Sequence, residues 1–300
     1  MTLLNTANDG LPSVLITLTK AVLSEEELPR EKLIDITAPS SVTDGQQVKQ
    51  TLNTWEKLGL FDCDDEHNVS ICDEFHTTDR ADCDGLSFLR KFSRNLALAD
   101  QNNPDLWAKK EALSADFTRA LTWCMAQDVY RLPGGKYEEL ANFEVRQFPG
   151  DKRALQNATR WRGFKKWAIF FEFGWLSKFP NSRTNTLVID PTVPVRNALP
   201  AVFQDQNELS HDVFLQRLAS TLPVVDGGEH RNEMEAVIKG NSWSPPRNHE
   251  LSTSLSRALE RLHIENEIKL ENRADASKAT LLGRHGEELR EISHIIWLEK

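Results

Sequence analysis

Gln47-Val48-Lys49-Gln50-Thr51-Leu52-Asn53-Thr54-Trp55-Glu56-Lys57-Leu58-Gly59-Leu60 is the stretch on which the fold turns. Val48, Leu52, Trp55 and Leu58 are spaced four, three and three apart, so they share one helical face. Thr43 or Asp44 is placed to cap this helix, and Gly59 to end it in a left-handed conformation. The period then changes to two. Leu60-Phe61-Asp62-Cys63 and Val69-Ser70-Ile71-Cys72 read as strands, joined by a turn at Asp64-Asp65-Glu66-His67-Asn68. Upstream, residues 12–23 predict a first helix opened by Pro12, with Leu15, Leu18 and Leu23 on its apolar stripe. Residues 30–36 predict a second behind Pro29, with Leu33 and Ile36 facing inward.

Three helices closed by a hairpin resemble the winged-helix (helix-turn-helix) superfamily, and residues 47–60 resemble its third helix and the step into the wing. The resemblance covers about residues 10–75, a quarter of the chain. It implies a small module that binds DNA or protein.

An acidic connector at 73–85 ends this module. Residues 86–150 read as a helical linker domain: Phe88, Leu89, Phe92 and Leu96 space one helix, Pro104 opens another, and Phe117, Leu121, Cys124 and Met125 a third. Pro133-Gly134-Gly135 is a stop signal. Residues 155–176 predict a helix bearing Trp161, Phe164, Trp167, Phe171 and Trp175, followed by a strand at 187–189. This makes 151–205 a winged-helix-like basic segment. Residues 206–300 repeat the order: a helix at 251–262, then a hairpin from 268–271 to 279–282, with 287–297 readable as helix or strand. The expected architecture is mainly α with short β-hairpins, as tandem winged-helix-like domains with a helical insert.

With 39% apolar and 27% charged residues, the chain has the composition of a folded globular protein rather than a disordered one. No apolar run approaches the ~20 residues that span a bilayer, and the N-terminus lacks the pattern of a secretory signal. Four cysteines do not make a disulfide scaffold, so a cytoplasmic location is expected, with no membrane partner. The oligomeric state is not legible.

Chemistry-bearing motifs are sparse. Cys63, Cys72 and Cys83 lie near His67 and His76, but gaps of eight and ten residues do not suit a structural zinc site. Small apolar packing is the simpler role for those cysteines, and for Cys124. Asp190, just after a strand, is the best single carboxylate for a nuclease metal, yet no partner pattern follows it. There is no phosphate-binding glycine loop and no nucleophile elbow. No catalytic, cofactor or metal site is therefore read. Enzyme activity is not indicated, and a nuclease or other enzyme with a scattered site stands as a third reading.

Charge is more informative. The formal net charge is -9, yet residues 151–185 hold eight basic residues against two acidic, a local +6. The eight are Lys152, Arg153, Arg160, Arg162, Lys165, Lys166, Lys178 and Arg183. Arg162, Lys165 and Lys166 are three and four apart and share a helix face, so they suit duplex phosphates. Arg273 and Lys278 flank the expected last wing and join the candidate contacts. Trp161, Trp167 and Trp175 are assigned to the core. The helix at 45–58 offers glutamine and asparagine but almost no net charge, which suits protein contact better. The overall texture of the chain also resembles accessory proteins of bacterial DNA-modification and phage-defence clusters, those accompanying 7-deazaguanine modification of DNA in particular. Together these imply a non-catalytic DNA-binding or adaptor component, with double-stranded DNA and other proteins of the same system as partners. The alternative is a protein–protein assembly factor without nucleic-acid contact.

Overall fold

The apolar spacings become helices wherever a second apolar face is present to receive them. The computed structural model describes residues 2–4, 11–77, 85–108, 113–178, 185–239, 243–247 and 249–298. Cys83, Arg183 and most of the acidic connector lie outside them. In chain order the elements begin α1 Pro12–Glu25, β1 Glu27–Pro29, α2 Arg30–Thr37, α3 Gln46–Lys57, β2 Phe61–Cys63, β3 Asn68–Ile71, α4 Asp73–Thr77 and α5 Gly85–Leu98. They continue α6 Ala115–Ala126, α7 Tyr137–Val145, α8 Ala158–Phe170, β4 Gly174–Ser177, β5 Thr186–Ile189, α9 Thr192–Phe203, β6 Glu208–Ser210 and α10 His211–Thr221. The chain closes with α11 Glu229–Val237, β7 Glu250–Leu251, α12 Thr253–Ile264, β8 Ile268–Glu271, β9 Ala279–Leu282, β10 Glu288–Ile292 and β11 His294–Trp297. It is mainly helical, with small two- and three-stranded sheets. No described helix is long and apolar enough to cross a membrane.

Contacts divide the chain into two units, Met1–Phe117 with Ala158–Phe171, and Thr118–Asn157 with Glu172–Lys300. This division cuts across the expected segments, because α8 groups with the N-terminal residues.

In the first unit, Leu15, Leu18 and Val22 of α1, Leu33 of α2, and Val48, Leu52 and Trp55 of α3 are buried together with Phe61, Val69 and Ile71 of the hairpin. Ile36 is 54% exposed, so it does not face inward as its spacing predicts. Asp44 accepts the Gln46 N–H at 3.0 Å. Gly59 adopts a φ of 89°, and the Leu60 N–H returns to the Trp55 carbonyl at 2.9 Å. β3 lies between β1 and β2, antiparallel to both. The stretch after Pro104 is not a helix; only a 3-10 turn forms nearby, at Asp100–Asn102.

The second unit holds three sheets, in the orders β4-β5, β6-β11-β8 and β10-β9-β7. The hairpin expected between β8 and β9 does not form. β8 pairs with β11, and β9 pairs with β10 and β7. The helix expected at 155–176 also ends early. Glu172 takes a φ of 67°, and Gly174 begins β4 with its backbone against Val188, where a Cβ would stand 2.2 Å from the carbonyl oxygen. Trp175 is thereby moved from the expected core to a strand, 38% exposed. Helix α9 goes unread in the sequence because it contains Pro194 and Pro200; Pro194 sits in the first turn, where its missing N–H costs nothing. The elements α9, β6, α10, α12, β8 and β11 run helix, strand, helix, helix, strand, strand. Their sheet places the last strand between the other two, the same order and pairing as α1 to β3 in the first unit.

A polar chain crosses the second core. Trp123 Nε1 donates to Gln147 Oε1, and Gln147 Nε2 donates to Gln127 Oε1, both at 2.8 Å. Beside it, Glu144 of α7 is 1% exposed and accepts the Leu155 N–H at 2.7 Å. Burial pushes its carboxyl from 4.5 up to about 7, against the opposing pull of the Leu155 and Ala154 N–H groups.

A carboxyl raised by folding favours the native state when protonated. Its contribution is full below pH 4.5 and is lost as pH rises through about 7. In denaturant titrations across that range, wild-type stability is expected to fall relative to Glu144→Gln, by an amount on the order of 3 kcal/mol. A difference independent of pH would contradict the assignment.

Candidate nucleic-acid interface

Helix α8 forms because its apolar side has a fitted receiver within the first unit. Trp161, Phe164, Trp167, Ala168 and Phe171 are buried. Trp167 lies 5.5 Å from Trp55 and 5.2 Å from Phe171, and Phe117 lies 5.7 Å from Phe164, between ring centroids. Gly163 faces Leu4, whose Cδ2 would sit at ordinary contact distance, 3.6 Å, from an added Cβ.

The cations of α8 have separate fates. Arg160 is buried and faces Asp116 at 3.7 Å. The Asp116 carboxylate also accepts Thr2 Oγ1 at 2.6 Å and the Leu4 N–H at 2.9 Å. Arg160 thus belongs to the anchor of the N-terminal residues. Lys165 is half-buried, 5.4 Å from the Trp161 ring centroid, and burial lowers the pKa of its ammonium. Arg162 and Lys166, one helical turn apart, are the exposed pair, and Arg162 donates to Thr159 Oγ1 at 3.3 Å.

The remaining candidates lie in the second unit. Lys152 and Lys178 are exposed, while Arg153 is half-buried and donates to the Gly150 carbonyl at 3.0 Å. Arg273 is held by Glu208 at 2.7 Å and Glu271 at 2.8 Å. Lys278 is held by Glu291 at 3.2 Å. These two cations flank no wing, since β8 and β9 belong to different sheets. Arg183 lies outside the described residues.

The outer face of α3 carries Gln46, Lys49, Asn53 and Lys57. Arg30 closes over it, donating to Glu56 at 3.0 Å and to Asn53. The adjoining hairpin turn is acidic; Asp64 accepts the Asn68 N–H at 2.7 Å and the Glu66 N–H at 2.9 Å, which holds its carboxyl below the usual range. In the second unit, α12 is mostly buried, though the Arg261 side chain is 42% exposed and Ile264 lies open to solvent. Ser254 Oγ donates to the Met125 carbonyl at 2.8 Å, and the face of Leu255, Ala258, Leu259 and Leu262 is core.

Asp190, the carboxylate singled out as a metal candidate, is surrounded by cations. Arg257 Nε reaches its Oδ2 at 3.1 Å and Arg261 Nη1 at 2.7 Å, while Thr192 occupies Oδ1. Burial opposes its ionisation, but the Thr192 and Arg261 hydrogen bonds prevail and keep its pKa below the usual value. The legible signal was Arg257 and Arg261, four apart on a helix; their acceptor lies 67 residues upstream of Arg257. Cys63 and Cys72 are half-buried, and burial pushes the Cys72 thiol up. Among the described residues no three histidines, cysteines or carboxylates converge as a metal site.

A family model described as DpdG-like matches residues 1–276. No curated protein and no solved structure matches. The chain belongs to the DpdG-like family, part of the 7-deazaguanine DNA-modification and phage-defence cluster, which bears out the resemblance noted in the sequence.

Removing Arg160 takes a cation from a buried carboxylate, whereas removing Arg162 alters a solvated surface. Denaturant unfolding of Arg160→Ala is expected to show a loss of about 3 kcal/mol. Arg162→Ala is expected to stay within about 0.5 kcal/mol of wild type. Equal effects would contradict the division of roles along α8.

Proposed function

We propose that this member of the DpdG-like family is a non-catalytic adaptor of its DNA-modification and defence system, and that it touches duplex phosphates through the exposed side of α8. The observation that carries this reading is the separation of Arg162 and Lys166 from the other α8 cations: two charges face solvent on a helix whose opposite side is core. Two phosphate contacts supply weak, sequence-independent attraction rather than readout.

The shared order of helices and strands supports reading residues 12–71 and 192–297 as tandem winged-helix modules joined through a helical insert. Neither third helix suits base recognition. That of the first module is nearly neutral and adjoins an acidic wing, and the apolar side of α12 is buried. Such modules serve assembly better than groove reading, and family membership implies association with other proteins of the defence system. The paired state of Arg273 and Lys278 favours the second reading, an assembly factor with no nucleic-acid contact.

Fluorescence anisotropy with a labelled duplex at low salt separates the two. The expected result is measurable binding by wild type that weakens in Arg162→Ala/Lys166→Ala, with the log–log salt slope shallower by about 2. No wild-type binding, or an unchanged slope in the double variant, would hand the case to the assembly reading.

A further inference from the structure

Arg257 is built into its place from both sides. Its Nε is spent on Asp190, a buried carboxylate whose other oxygen accepts the Thr192 N–H at 2.9 Å and the Thr192 hydroxyl. Arg261 shares the same carboxylate oxygen at 2.7 Å, so the acceptor cannot swing away. Among the described residues, the two terminal nitrogens of Arg257 have no hydrogen-bond partner. The guanidinium carbon lies 5.2 Å from the Trp175 ring centroid and 5.8 Å from that of Tyr130. Each of these rings is 38% exposed.

The surroundings are tied together by hydrogen bonds and close packing. Tyr130 sits on a loop whose Val129 N–H donates to Thr253 Oγ1 at 3.0 Å, which ties the loop to the first turn of α12. Farther along, the Gly134 carbonyl accepts the Leu187 N–H at 2.8 Å, and a Cβ on Gly134 would stand 1.9 Å from the Leu187 oxygen. Between loop and strand lies a cleft of about 500 Å³ lined by Tyr130, Leu132, Lys136, Glu139 and Val188. It adjoins the site through Tyr130; Arg257 and Trp175 are not part of its lining.

A guanidinium that presents two free nitrogens between two partly exposed aromatic rings matches one ligand chemistry. The fork takes a phosphate in bidentate fashion; Arg257 and Arg261 both lie over the Trp175 ring, at 5.2 and 5.6 Å, so a base would stack on the parts of Tyr130 and Trp175 that the guanidiniums leave exposed. Paired bases have their faces covered by neighbours, so a duplex cannot use the rings. A peptide carboxylate would use the fork and leave the rings idle. We propose that Tyr130, Trp175 and Arg257 form a site for an unpaired nucleotide, its phosphate on Arg257 and its base against an aromatic ring. The nucleotide comes either from a single strand or from a free nucleoside monophosphate. The site lies apart in sequence from the α8 cations and does not rest on their contact with DNA.

The test uses the full chain and a labelled single-stranded dodecanucleotide, read by fluorescence anisotropy. Trp175→Leu and Tyr130→Leu are each expected to weaken binding, by about fivefold or more. Arg257→Lys, which keeps the charge and loses the fork, is expected to weaken it about tenfold. Trp175→Leu and Tyr130→Leu are expected to spare duplex binding, whereas Arg162→Ala/Lys166→Ala weakens it, so failure of this site and failure of the α8 reading are distinguishable. Tyr130→Leu, on a loop and outside the Asp190 network, keeps the test valid if an Arg257 variant does not fold; unchanged thermal melting verifies each protein used. Competition then names the source. Displacement by deoxynucleoside monophosphate points to a free nucleotide, and its failure beside displacement by unlabelled single strand points to a strand. Absence of wild-type binding, wild-type affinity in the ring variants, or equal displacement by duplex or by polyglutamate would overturn the proposal.

Discussion

Trp55 and Trp167 meet with ring centroids 5.5 Å apart, both withdrawn from solvent. One comes from α3 and the other from α8, more than a hundred residues later in the chain. Their contact commits one side of each helix to the same core, and Phe171 and Phe117 extend it. Once those sides are taken, the surfaces left to solvent are settled. On α3 they are amides and two lysines; on α8 they are chiefly Arg162 and Lys166. Aromatic pairs of this kind contribute about 1 kcal/mol beyond the area they bury. The larger consequence here is geometric, since it places the α8 residues among the N-terminal elements.

The same logic governs charge. A local excess of six cations suggests a strong field, but a field depends on where each charge ends. Arg160 is absorbed by Asp116, and Arg273 and Lys278 by carboxylates on neighbouring strands. The second unit contains a longer network, in which Asp190 joins Arg257 and Arg261, and Arg261 continues through Glu265 to Arg196. Among the described residues of that network, Arg257 combines two terminal nitrogens without a hydrogen-bond partner and a pair of partly exposed aromatic residues. Its character as a candidate site comes from what is missing around it as much as from what holds it.

The two units also show how a repeated topology diverges. In the first, the third helix keeps an open polar side. In the second, β7, β9 and β10 form an added sheet, and Ser254 and Ser256 of α12 satisfy backbone groups inside the unit. Burial of those hydroxyls is affordable because each has a partner.

What the sequence determined by itself is what neighbouring residues encode. Val48, Leu52, Trp55 and Leu58 specify a helix face, Gly59 its end, and the alternation beyond it a hairpin; the likeness to modification-cluster accessory proteins was legible too. What only the tertiary structure decided concerns residues far apart. Trp175 continued the helical spacing of α8, yet the close approach of Gly174 to Val188 turned it onto a strand and out toward solvent. β8 found β11 rather than the nearer β9, because strand pairing is selected by the buried face available and not by distance along the chain. Asp190 read as a lone carboxylate until α12 supplied its arginines. Periodicity is a local property, whereas solvation and ion pairing depend on which distant segment arrives alongside.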